Sequence, residues 1–137
     1  MLLVSGDYTG HDISAKRGIK DSNLSMLKSV ISSCFAQYID PLFPDTIVIP
    51  AIGNNDVEFH YEFPTTVTEA EKFYGFLFDL WWNNMGANKK YDNKDKVRET
   101  FMQGGYFRYD HSKYVSFLAV NSLYWSVKNE KFESDVS

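Results

Sequence analysis

The sequence is poor in the residues that most often declare a function. It holds one cysteine, Cys34, so neither an internal disulfide nor a cysteine-built zinc site can form within it. Charge of neither sign dominates: 14 Lys and Arg against 18 Asp and Glu leave a net charge of -4. The bases are scattered rather than striped, which gives no footprint for nucleic acid. No apolar run approaches the ~20 residues of a membrane span. The opening MLLVSGD has no basic region, and its apolar stretch is too short for a signal peptide. GxSxG, the Walker loop and HExxH are all missing, which removes three readable routes to catalysis.

What is present is an ordered body. Aromatic residues make up 17% of the 137 positions and hydrophobic ones 44%, enough for one domain with a real core. Leu2 to Ser5 reads as a buried strand ended by Gly6-Asp7, and its position suggests a chain that starts in the middle of something larger. Tyr8 to Asp21 reads as a loop. Leu24, Leu27, Val30, Ile31, Cys34, Phe35 and Tyr38 recur at helical spacing behind a Ser22 cap, with Cys34 among the buried positions. That helix is expected to stop by Pro41.

Thr46 to Ile52 reads as a second strand. Thr68 and Glu71 then form a capping box for a helix to about Asn83, whose apolar surface is too broad to face solvent. A charged loop leads to a short helix over Asp95 to Met102. GGYFRYD and KYVSFLAVNSLYW read as two strands joined at Asp110-His111-Ser112. Alternating strands and helices point to an α/β sheet covered by helices.

The two apolar strands close alike, LLVSGD at Asp7 and IVIPAIGNND at Asn54. In open α/β sheets, ligands sit beyond the carboxyl ends of the strands. A carboxylate and an amide oxygen there suit a hard or borderline divalent ion such as Mn, Mg or Zn. Asp and Asn also close strands for purely conformational reasons. His11, four residues past Asp7, can give a proton to a phosphate or a leaving oxygen, or be a solvated loop residue. His60, six past Asn54, stands in the same position, and His111 reads as a turn residue. Most of the set Trp81, Trp82, Tyr106, Phe107, Tyr124 and Trp125 reads as core. Asn23-Leu24-Ser25 is a glycosylation sequon, which permits a secreted protein without requiring one.

Taken in order, SGDYTGHD, VIPAIGNND and GGYF followed by FLAVNSLYW resemble the calcineurin-like metallophosphoesterases. The likeness is to the branch holding acid sphingomyelinase-like phosphodiesterases and endopolyphosphatases, and it runs from about Leu3 to Asn129. It implies an α/β fold, part of a metallophosphoesterase sandwich, as one domain over 1–137. It implies two divalent metal ions, with Asp7 bridging both and Asn54 an amide ligand to the second. His11, Asn55 and His60 take catalytic places: His11 on substrate phosphate, and Asn55 where many members have a histidine. The GNND form with His60 nearby looks more like the endopolyphosphatase side. Asn121 matches a strand end with a structural role.

The implied partner is a phosphorylated substrate, polyphosphate or a phosphodiester, and the implied setting is lumenal or secreted. The family's DxH segment before GD and its later GHxH have no counterpart in this sequence. The resemblance therefore implies a central portion of a longer hydrolase, or a degenerate relative of one, that is inactive alone. The competing expectation is a non-catalytic phosphoesterase-like binding module. Missing strands would leave apolar faces open around Trp81, Trp82 and Tyr124, so self-association through the aromatic helix or a strand edge is expected.

Overall fold

A computed structural model describes residues 1–10, 22–58 and 61–128. Strand β1 (Leu2–Val4) and strand β2 (Val48–Pro50) pair in parallel, Leu2 opposite Val48 and Val4 opposite Pro50. All three β2 residues are buried. The outer side of β2 is closed by a side chain: buried Asn88 accepts from Val48 N–H (2.9 Å) and donates to Val48 C=O (2.8 Å) and Trp81 C=O (3.1 Å). The amide thus stands in for a neighbouring strand, which satisfies backbone groups that burial would otherwise leave orphaned.

Helix α1 (Ser22–Cys34) continues through a π-helical turn, Phe35–Ile39, and a last turn, Asp40–Leu42. Its buried row is Leu27, Ile31 and Phe35, at successive four-residue steps. The residues three further on, Val30, Cys34 and Tyr38, are exposed. The expected burial of Cys34 is thereby corrected: an apolar period does not say which side of the stripe the core covers. The helix also runs past Pro41. The π-turn has already displaced the regular ladder that a proline interrupts.

Helix α2 (Val67–Phe78) and the π-turn after it (Asp79–Asn83) carry most of the core. The capping box is formed by Thr66 and Glu69, which corrects the expected Thr68 and Glu71. Both pairs have the same spacing. The earlier register wins an extra bond, from Thr65 N–H to Glu69 Oε2 at 2.9 Å. The wider turn buries Leu80, Trp81 and Trp82 in succession, and both indoles are fully covered. Among the described residues the apolar opening expected around Trp81 and Trp82 is closed, whereas Tyr124 is half-buried.

Helix α3 (Lys94–Gly104) lies against α2. Its Phe101 meets Tyr74 (5.8 Å between ring centroids), Trp81 (5.9 Å) and Phe107 (6.0 Å) in edge-on arrangements. Strands β3 (Phe107–Asp110) and β4 (Ser116–Ala119) form an antiparallel hairpin, Phe107 opposite Ala119 and Asp110 opposite Ser116. The expected strand through Trp125 ends early, because Ser122–Trp125 is a 3-10 turn capped by the Asn121 side chain.

The class is mixed α/β, and the described strands form two separate two-stranded sheets. Among the described residues, no helix is long and apolar enough to cross a membrane.

Candidate functional site

The carboxyl ends of β1 and β2 are adjacent, as parallel pairing requires, so their following loops meet. They meet backbone to backbone. A Cβ on Gly6 would overlap the backbone of Gly53, and one on Gly53 would overlap Asp7 N and Oδ1. Gly6 has φ 94° and Asp7 φ 56°, so the chain turns through two successive left-handed residues. The glycines of SGD and IGNND are there for this approach.

Hydrogen bonds then lace the loops together. Asp56 is fully buried and takes Asp7 N–H (2.6 Å), Tyr8 N–H (2.7 Å) and Gly53 N–H (2.9 Å) on its two carboxylate oxygens. Asp7 Oδ1 accepts from Asn55 N–H (3.1 Å), and Thr9 Oγ1 donates to Asn55 C=O (2.7 Å). Burial raises the Asp56 carboxyl to about 6, against the downward pull of the three amide donors. Burial likewise pushes the Tyr8 hydroxyl well up, and that hydroxyl finds no hydrogen-bond partner among the described residues.

Of the residues singled out from the sequence, Asp7, Asn54 and Asn55 are brought together. Asp7 is exposed, Asn54 half-buried and Asn55 buried. Asn54 Nδ2 donates to Asn55 Oδ1 at 3.3 Å. His11 and His60 lie outside the described residues, as does most of the Tyr8–Asp21 loop. His111 is exposed at the hairpin turn, and Asn121 is buried, donating to Gly104 C=O (3.1 Å) and Tyr74 Oη (3.4 Å). Asn121 is a brace, as expected.

Asp56 is the residue that sequence reasoning passed over. It sat inside the GNND motif, but nothing in the spacing announced a buried carboxylate holding both loops. Asn88 was missed for the same reason.

The donor set fits a hard cation in kind: with Oδ1 engaged, Asp7 retains Oδ2, and Asn54 brings an amide oxygen. It falls short, among the described residues, of the number that two ions need. Among the described residues, no group of three or more His, Cys, Asp and Glu is placed to hold a metal. The open groove of about 620 Å³ between α2 and α3, lined by Thr66, Tyr74, Arg98 and Met102, does not include Asp7 or Asn54. No protein-family model matches the chain. A comparison with curated proteins finds no match.

Proposed function

We propose that the paired loops after β1 and β2 are the central part of a metal-dependent phosphoesterase site acting on a polyphosphate or a phosphodiester. One observation carries the reading: Asp7 and the GNND turn, on strands far apart in sequence, close on each other at one end of a parallel pair. In this reading Asp7 Oδ2 and Asn54 Oδ1 are metal ligands. When bound, a pair of divalent ions would polarise the phosphoryl group and supply hydroxide. Asp56 holds both loops in place, the Asn55 amide faces the leaving group, and His11 or His60 supplies the proton that the leaving oxygen takes. The described residues supply two of the donors such a site needs, and in this reading the others come from beyond them, so little or no activity is expected of the chain alone. The fold would then be part of a metallophosphoesterase sandwich, in a lumenal or secreted protein.

The bond from Asn55 N–H to Asp7 Oδ1 favours a second reading, in which the carboxylate serves the turn and the module binds without catalysis. Manganese titration followed by amide NMR separates the two. The first reading expects paramagnetic broadening confined to residues 7–9 and 53–56 and lost in Asp7→Ala. Broadening spread evenly over surface carboxylates would leave the second. No divalent-dependent hydrolysis of polyphosphate above background is expected from the isolated chain; turnover abolished by Asp7→Ala would show that it needs no further ligands.

A further inference from the structure

We infer that the outer edge of β4 is a self-association site, pairing antiparallel with β4 of a second copy of this chain. The phase of the hairpin ladder is set by the bond from His111 N–H to Val115 C=O at 2.9 Å. Bonded pairs alternate along an antiparallel ladder, so Phe107 with Ala119 and Tyr109 with Phe117 exchange their amides. Ser116 and Leu118, and Val120 just past the strand, therefore turn their N–H and C=O groups away from β3. Among the described residues those backbone groups have no hydrogen-bond partner.

Soluble proteins guard such edges with charge, proline or a bulge. The opposite edge of the hairpin is guarded, by Arg108 paired with Asp110 at 2.7 Å. The β4 edge is not. From Tyr114 to Leu123 the sequence is YVSFLAVNSL, with no charged residue and no proline. Its side chains are uncharged: Ser116 is tied to Arg108 and Asp110 of β3, and beyond it Leu118 is 72% and Val120 56% exposed.

A second copy is the occupant that this pattern matches. Centring the pair on Leu118 places Leu118 opposite Leu118, Val120 opposite Ser116 and Tyr114 opposite Ser122. Each position along the seam then meets an uncharged partner, and Ser116, Leu118 and Val120 each exchange two backbone bonds with the residue opposite. The arrangement is two-fold and self-limiting, giving a four-stranded sheet whose outer strands are the guarded β3 of each copy. The edge of β1 is less suited. In its three residues only Leu3 lies between the positions that bond towards β2, so it offers one outward pair of amide groups.

Sedimentation equilibrium of the full chain, from low to high tens of micromolar, tests this. The unmodified chain is expected to dimerise. Leu118→Lys places two like charges face to face and is expected to weaken the dimer by roughly tenfold or more. Val120→Lys should act in the same direction, and it decides the matter if Leu118→Lys loses its circular-dichroism melting transition. Leu3→Lys, on the other sheet, should leave the dimer unchanged. A chain that stays monomeric, a dimer that survives both β4 substitutions, or one dispersed by Leu3→Lys would overturn the inference.

Discussion

Asp56 shows how much one side chain can decide. Its carboxyl rises from 3.8 to about 6 in the folded protein, so the native state holds this proton more tightly than the unfolded chain does. The stabilisation this brings is complete below about pH 4 and is lost as pH climbs through about 6, a swing of about 3 kcal/mol if nothing else moves. Chemical denaturation of the wild type and Asp56→Asn between those limits isolates it. The stability difference between the two proteins should shrink in favour of the variant as pH rises, and a flat difference would contradict the assignment. At low pH the amide introduced by Asp56→Asn also lacks an acceptor for one of the backbone donors, which should cost ~1–3 kcal/mol. Cys34 offers a second check at this scale. Exposed on α1, it should react stoichiometrically with an aromatic disulfide in native buffer, and a thiol revealed only by denaturant would return it to the core.

Among the elements, the start of α2 is the sharpest case. Two Thr-x-x-Glu pairs overlap in TTVTEAE, and only hydrogen bonding distinguishes them. Thr66→Ala should cost ~1 kcal/mol in urea unfolding, whereas Thr68→Ala should stay within ~0.5 kcal/mol. Equal losses would mean that the box is shared. The periodic stripe of α1 was legible from its apolar spacing. Its boundary was not, because the π-turn at Phe35–Ile39 has no compositional mark. The same holds for Ser122–Trp125, where β-favouring aromatics sit in a 3-10 turn held by Asn121.

At the scale of the whole molecule, Phe101 joins the parts. Its ring touches α2 through Tyr74 and Phe78, the π-turn through Trp81 and the hairpin through Phe107. Phe101→Ala should therefore cost ~3–5 kcal/mol and lower a single unfolding transition followed by both far- and near-ultraviolet circular dichroism. Two separated transitions would mean that the hairpin and the parallel pair fold independently.

The sequence by itself determined the order of strands and helices, the two glycine-ended strands, and the nearness of Asp7 to Asn54 once those strands run parallel. Each of these follows from local period and turn chemistry, which a linear reading can see. The burial of Asp56, the strand-like service of Asn88, the exposure of Cys34 and the open edge of β4 were decided by tertiary structure alone. Each depends on which surfaces distant segments cover. A carboxylate becomes a clasp only when Asp7 and Tyr8, nearly fifty residues away, bring it their amides.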